Sequence, residues 1–329
     1  MLLSICIPSY NRINELKKIV SELCKAQSYD FEIVIVDNAS DYNVAEQLDC
    51  KDKRLRIIQR KKSVGGFINT RDCLSYARGR FCFLCLDKDF IIAKMLDDFI
   101  LCLKKNENVT CARCELNYDG IESYTIIKKN LLLKYGYRDW HPSGLVFSKA
   151  IVDYDSIKGK KYIDDPFGYI MLFARCLSEG DMLFYKKHMV LMESSKNADN
   201  IKSFSLSGDR GNVFFMPHNR IEQMATYLEH LNSLKLDYKY YVKVIQSIYN
   251  ITLEEITWKY KNLMRNKVVC SHYRINTECI TIKNIINNVF LLQKNFFRVK
   301  EINISKLKKL SIITNGYKFL LQEIIIHML

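Results

Sequence analysis

In the first ninety residues the acids, amides and hydroxyls gather in three short clusters, each directly after an apolar run. Pro8-Ser9-Tyr10-Asn11-Arg12 follows LLSICI, Asp37-Asn38-Ala39-Ser40-Asp41 follows FEIVIV, and Asp87-Lys88-Asp89 follows RFCFLCL. Carboxylates two residues apart at a strand end suit a hard divalent cation, because Mg2+ and Mn2+ prefer oxygen ligands. A second acidic pair, Asp164-Asp165, precedes a helical pattern. Each acid taken singly has a plainer explanation, since Asp, Asn and Ser favour strand ends and helix starts for the turns and caps they make.

The elements that must carry these clusters are legible in the hydrophobic pattern. Leu2–Ile7 and Phe31–Val36 are continuous apolar runs rich in β-branched residues, the pattern of strands buried on both faces. Leu55–Gln59 and Arg80–Leu86 read as a third and a fourth strand. Leu16, Ile19, Val20 and Leu23 share one face of a helix expected from Asn14 to Ala26, and Gly65-Gly66 opens another, Phe67 to Ala77. Strands and helices in alternation predict an α/β fold, a Rossmann-like, mostly parallel doubly wound sheet. Ligands bind such sheets beyond the carboxyl ends of the strands, so the three clusters should converge on one crevice.

Further on, the spacing predicts a helix from Lys94 to Lys104, strands at Val109–Asn117, Tyr124–Ile127 and Met182–Tyr185, and a helix through Arg175. Trp140 to Phe147 reads WHPSGLVF, a glycine-bearing segment. Residues 197–219 are polar and irregular, in the manner of a functional loop or lid. From Arg220 the pattern is almost wholly helical. The expected organisation is an α/β domain over 1–219, in halves 1–92 and 93–219, then a basic helical C-terminal region over 220–329.

Four features, taken in order and spacing, resemble the family 2 glycosyltransferases of the GT-A fold. They are a first strand ending Pro8-Ser9-Tyr10-Asn11, Val36-Asp37-Asn38-Ala39-Ser40 after the second, the Gly-x-x-x-Asn that ends at Asn69, and Leu86-Asp87-x-Asp89 after the fourth. The likeness spans about residues 3–190 and is most specific over 3–90. It implies an inverting enzyme that moves a sugar from a nucleotide-diphosphate sugar, a UDP-sugar first among them, to a glycan acceptor. Donor contacts would fall to Pro8, Tyr10, Asn11, Arg12, Asp37, Asn38, Gly66, Asn69, Arg71, Asp87 and Lys88. Pro8 and Tyr10 could flank a pyrimidine ring, while Asp37 or Asn38 takes its imide N–H or the ribose hydroxyls. The family commonly has Asp-Asp where this chain has Asp37-Asn38.

Asp87 and Asp89 match the family's Asp-x-Asp, with one acid reaching ribose and the other a Mg2+ or Mn2+ on the diphosphate. The resemblance also implies a base in an acidic pair before a helix bearing an arginine and then a glycine. Asp164-Asp165 with Arg175 and Gly180 fits that element, with Asp165 favoured and Asp164 its competitor. Pro166-Phe167-Gly168 makes the gap to Arg175 longer than usual. His141 and Gly144 fall in the acceptor-side segment. Arg210 and Arg220 flank the irregular loop, and arginine suits bidentate phosphate contact. His188 and His218 are further candidates for the metal.

Charge narrows the partners. The chain has 50 Lys and Arg against 36 Asp and Glu, a net charge of +14 over 329 residues. From Arg220 onward it carries 17 Lys or Arg against 8 Asp or Glu, a surplus of 9. Aromatics sit among these lysines, as in Tyr238-Lys-Tyr-Tyr and Trp258-Lys-Tyr-Lys. A solvated basic bundle explains that composition, and peripheral docking on an anionic membrane is the sharper reading. The resemblance favours the membrane, since many relatives extend lipid-linked glycans at the inner leaflet in O-antigen or capsule synthesis. No recognised nucleic-acid motif accompanies the charge.

The N-terminal apolar run is too short for a signal segment, and no run reaches the ~18 apolar residues of a spanning helix. The expected location is therefore cytoplasmic, extending to the inner face of the plasma membrane. The twelve cysteines lie largely in apolar runs, as buried thiols of a reducing compartment do. Cys82 and Cys85 have zinc-like spacing, but strand alternation sends them to opposite faces. Cys111 and Cys114 have no matching second pair. Two alternatives compete: a sugar-phosphate nucleotidyltransferase, and a non-catalytic nucleotide-binding, membrane-associated scaffold. The first would show a glycine-rich basic loop where Pro-Ser-Tyr-Asn-Arg stands. The second is disfavoured by the retained acids.

Overall fold

Every residue of the first two strands, β1 (Leu3–Ser9) and β2 (Phe31–Asp37), is buried. Backbone that is covered on both faces can satisfy its polar groups only in a ladder, and helices must supply the covering layers. The computed structural model that shows this describes residues 1–114, 123–138, 141–152, 168–192, 213, 215–263, 265–272, 275, 281–300 and 302–328. Helix α1 (Ile13–Leu23) buries Leu16, Ile19, Val20 and Leu23, the face its spacing predicts. The short helix α2 (Val44–Leu48) and strand β3 (Leu55–Gln59) follow. Helix α3 (Gly66–Ser75) packs on β1 and β2 and buries Asn69, Cys73 and Leu74.

The chain continues through β4 (Phe81–Leu84), β5 (Phe90–Ile91), α4 (Ala93–Lys105), β6 (Val109–Cys114), β7 (Tyr124–Ile127), β8 (Leu145–Ser148), α5 (Gly168–Glu179), β9 (Asp181–Tyr185) and β10 (Val190–Leu191). The main sheet has eight strands in the order β3-β2-β1-β4-β8-β6-β9-β7. β3, β2, β1 and β4 are mutually parallel, as are β6 and β9. β8 runs antiparallel between β4 and β6, and β7 lies antiparallel along β9. This is the mostly parallel, doubly wound sheet that the pattern predicts.

The sequence pattern did not mark β8 as a strand. It has four residues, too few to display a period, and it sits inside the segment read only as glycine-bearing. The strand expected over Arg80–Leu86 is shorter at both ends, and the first strand runs two residues further, through Pro8 and Ser9.

The chain divides into two compact units, Met1–Glu193 and Ser194–Leu329; the sequence reading drew its boundary at 219. The second unit is built from α6 (Pro217–Leu231), α7 (Tyr238–Glu254) with a π-helical turn at Glu255–Lys259, α8 (Tyr260–Leu263), α9 (Lys267–His272), α10 (Ile282–Arg298) and α11 (Lys306–Met328). Lys309 is buried, and its ammonium caps the C-terminus of α10 by donating to the carbonyls of Phe297 (3.2 Å) and Val299 (2.8 Å). Gly316 lets α11 approach α7: a Cβ there would lie 2.6 Å from the Tyr249 ring.

Candidate active site

Strand register brings the three polar clusters to one end of the sheet. Ser9 is opposite Asp37 in the β1–β2 ladder, and β4 ends at Leu84, opposite Cys6. The Cys85 N–H still donates to Cys6 O at 3.0 Å, after which the chain leaves the sheet. Pro8 falls on the same side of β1 two residues later. Its missing N–H therefore costs no ladder bond, and that is where a strand tolerates proline. A turn closed by Asp89 N–H to Leu86 O at 3.0 Å then brings Asp87 to the tip of β1. There the Tyr10 N–H donates to Asp87 Oδ2 at 3.3 Å.

Asp87 is half-buried, and burial pushes its carboxyl up to about 6, with the Arg12 guanidinium and the Tyr10 N–H pulling the other way. The buried Ser9 hydroxyl lies beside it and also favours the charged carboxylate. A carboxylate held above its usual range gains most from a cation that replaces the lost water. The sign follows from linkage. With a folded value above the unfolded one, Asp87 favours folding below about pH 4, and that contribution is lost as pH rises through 6. Asp87→Asn is therefore expected to raise unfolding stability at pH 8 by about 1–2 kcal/mol, discounted for partial solvent exposure. It is expected to weaken nucleotide-sugar binding at the same time. Urea unfolding at pH 5 and pH 8 checks the first part, because the gain should shrink at the lower pH.

Asp89 is 1% exposed. Its Oδ2 accepts a short hydrogen bond from Ser143 Oγ and meets His141 Nε2 at 2.5 Å. Ser143 Oγ also accepts from the Leu86 N–H at 2.9 Å, so one buried hydroxyl fixes both the turn and the acid. The buried Arg113 on β6 holds the segment from behind, donating to the carbonyls of His141 (3.0 Å) and Ser143 (3.2 Å). Gly144 closes the arrangement at φ +90, with its own N–H on Leu84 O at 3.0 Å. A Cβ there would crowd Cys114 Cβ at 3.3 Å, so packing and backbone conformation together require glycine. Sequence reasoning passed over Ser143 and Arg113. The available signal for Arg113 was a single cation inside an apolar strand run.

The β2 loop is locked by its own side chains. The Asp37 carboxylate, fully buried, accepts from the Ser40 N–H at 2.8 Å and from the Ser40 hydroxyl. Asn38 pairs both ends of its amide with Val64, at 2.6 and 2.8 Å. Asn11 bridges to this loop through Ser40 Oγ at 2.8 Å and Asp41 Oδ2 at 3.0 Å. Asn11 and Ala39 both take left-handed backbone, φ 52 and 65, a strain that concentrates at functional loops. Asn69 donates to Val36 O at 2.8 Å and accepts from Arg60 at 3.0 Å, tying α3 to the end of β2. Asp37, Asn38 and Asn69 therefore fix the carboxyl end of β2 and the loop that follows it.

Tyr10 is half exposed, at 49%, and Arg12 pairs with Glu15 at 3.8 Å. Gly66 is exposed and a Cβ on it would meet nothing within 4 Å. Arg71 pairs with Asp72 at 2.9 Å, and Lys88 is half-buried between the two acids. His141, expected on the acceptor side, lies against Asp89. Asp164, Asp165 and Arg210 lie outside the described residues. Arg220 is not poised to close on a phosphate: it is buried in the helical unit, bonded to Gln223 at 2.9 Å and paired with Glu255 at 3.7 Å.

Among the described residues no three His, Cys, Asp or Glu side chains are grouped so as to hold a metal ion. The chemistry of Asp87 and Asp89, two carboxylates two residues apart after β4, still suits Mg2+ or Mn2+. These ions are commonly held by one or two acids, with substrate phosphates and water completing the shell.

Residues 4–158 match the family model described as glycosyl transferase family 2. The abequosyltransferase RfbV of Salmonella typhimurium is 23% identical over 350 aligned positions, covering 93% of this chain and 98% of that protein. The Escherichia coli UDP-Glc:alpha-D-GlcNAc-diphosphoundecaprenol beta-1,3-glucosyltransferase WfgD is 28% identical over 130 positions. That match covers 39% of this chain and half of that enzyme's length. Among solved structures, residues 1–349 of S. aureus TarS superpose with a TM-score of 0.60 at 14% identity, covering 96% of this chain and 89% of that one. The same TarS segment in complex with UDP-GlcNAc gives 0.61 at 13% identity, with the same coverage. The fold is thus that of the GT-A enzymes, and residues 4–158, which supply the carboxyl ends of β1, β2 and β4, match the glycosyl transferase family 2 domain.

Proposed function

We propose that the crevice between β1, β2 and the β4 turn holds a UDP-sugar, and that its sugar passes with inversion to a hydroxyl of a lipid-linked glycan. The acceptor would be an intermediate of O-antigen or capsule synthesis at the inner face of the plasma membrane. The observation that carries this reading is the pair of acids after β4, one on the β1 tip and the other fixed by Ser143 and His141. Pro8 and Tyr10 supply the wall for the base, and Asn11, Arg12, Gly66, Arg71 and Lys88 surround the path of the diphosphate. Asp37, Asn38 and Asn69 hold that wall through Ser40, Val64 and Val36. Two relatives support the substrate class: one is named as a UDP-glucose-dependent transferase acting on a diphosphoundecaprenol glycan, the other as an abequosyltransferase.

Asp89 and Asp87 are the residues that would hold Mg2+ or Mn2+. Bound there, the ion would neutralise charge on the departing diphosphate. Asp165, or Asp164 beside it, takes the proton from the acceptor hydroxyl as the new bond forms. The Arg113 charge, buried behind His141 and Ser143, keeps the Asp89 carboxylate oriented before donor arrives.

A panel of UDP-, GDP- and dTDP-sugars, each with Mg2+ or Mn2+, tests the donor assignment by thermal stabilisation. A UDP-sugar at 100 times its dissociation constant is expected to stabilise the fold by about 2.7 kcal/mol. A response confined to the GDP series, or none from any donor, would refute it.

A further inference from the structure

Helix α10 has two apolar faces and uses only one of them inside the protein. Val289, Leu292 and Phe296 are buried. On the other side Ile282 (77% exposed), Ile286, Phe290 (62% exposed) and Phe297 face outward. Their spacing of four, four and seven residues places them on one strip of the helix surface. Four large apolar side chains in line form a contiguous patch of the kind that marks an interaction surface.

The charges beside the strip identify what would cover it. Exposed Lys283, Lys294 and Arg298 lie on the same helix, which contains no Asp or Glu from Ile282 to Arg298. The next helix opens alike, with Leu307 and Leu310 exposed beside Lys306 and Lys308. A second copy of the chain is a poor occupant, because a two-fold contact sets a patch against itself and would oppose cation to cation. An anionic lipid surface meets both needs at once, apolar depth for the strip and phosphates for the cations. Among the described residues no helix is long and apolar enough to cross a membrane, so α10 would lie on the surface.

We propose that the outer face of α10 seats in the headgroup layer of an anionic phospholipid membrane. Ile282, Ile286, Phe290 and Phe297 enter the acyl boundary, while Lys283, Lys294 and Arg298 contact lipid phosphates. This deepens the proposed function, in that a lipid-linked acceptor would be presented at the surface where the enzyme docks.

Vesicle flotation of the full chain tests it, with phosphatidylcholine alone against a 7:3 mixture with phosphatidylglycerol. Wild type is expected to float with the mixed vesicles and not with the neutral ones, and to release in 0.5 M NaCl. The double variant I286E/F290E should lower the partition at least ten-fold with an unchanged melting temperature, since both side chains are exposed. K283Q, K294Q and R298Q should each lower it about five-fold. Equal flotation of I286E/F290E and wild type, or no flotation of wild type, overturns the proposal. So does a wild-type oligomer in sedimentation equilibrium that I286E/F290E splits without vesicle binding, which would assign the strip to a second copy. UDP-sugar binding is measured in parallel: its absence in a wild type that floats would remove the UDP-donor proposal and leave the docking surface standing.

Discussion

Asp89→Asn is expected to lower sugar transfer by about 10²- to 10³-fold in kcat, the loss typical when one preorganised electrostatic contact to a developing charge is removed. The stability should change little, because the amide has the same shape and its oxygen can still accept from Ser143 Oγ. Asp89→Ala should match that catalytic loss and add a stability cost of about 1–3 kcal/mol. It would leave the Ser143 hydroxyl and His141 Nε2 without their buried acceptor. The two variants separate the roles of one side chain: charge toward the donor, and acceptor toward the 141–143 segment. Single-turnover transfer with a UDP-sugar measures the first, and urea unfolding the second. Donor turnover by Asp89→Asn within two-fold of wild type would remove Asp89 from the reaction.

What the sequence revealed of this site follows the range of each interaction. Buried parallel strands announce themselves through continuous apolar runs, and the residues that end them sit at one end of the sheet whatever the loops do. The convergence of Pro8–Arg12, Asp37–Asp41 and Asp87–Asp89 could therefore be read before any coordinate was known. The partners of those residues could not. His141 and Ser143 reach Asp89 across more than fifty positions, and only because β8 inserts antiparallel beside β4. A four-residue strand leaves no periodic trace, so neither its register nor the need for Arg113 behind it was visible. In the same way, Asp37 and Asn38 offered acceptors on paper, yet their nearest donors are Ser40 and the Val64 backbone, which occupy them in the fold. Arg220 suggests a phosphate contact because it flanks the irregular loop, whereas its partner Glu255 lies beyond the next helix and leaves no local signal.

Gly79→Ala is expected to be among the most damaging single changes to the fold, and it acts at the opposite end of the sheet. A Cβ on Gly79 would lie 2.6 Å from the carbonyl carbon of Leu3 and 2.7 Å from the Ser4 nitrogen. Both are backbone atoms at the start of the central strand, so relief requires β1 to slip against β4 rather than a side chain to swing away. The same glycine donates its N–H to Ser4 Oγ at 2.7 Å. Ser4 Oγ in turn donates to Glu32 Oε1 at 2.6 Å, and Glu32 pairs with Arg56 at 3.1 Å. Moving Gly79 would thus disturb β1, β2 and β3 together. Overpacking that cannot relax costs about 3 kcal/mol, a large fraction of the 5–15 kcal/mol typical of a domain. Gly66→Ala is the control of opposite sign. Its Cβ meets open space at the start of α3, and the gain from reduced unfolded-state entropy is about 0.4–1 kcal/mol. Thermal unfolding of the two variants decides the matter. A Gly79→Ala midpoint within a degree of wild type would show that the amino ends of these strands yield more readily than their backbone contacts imply. The expected asymmetry has a physical basis. The amino ends are packed backbone to backbone and fix the sheet. At the carboxyl ends β4 stops short of β1, and the gap that this leaves is where Asp87 can gather.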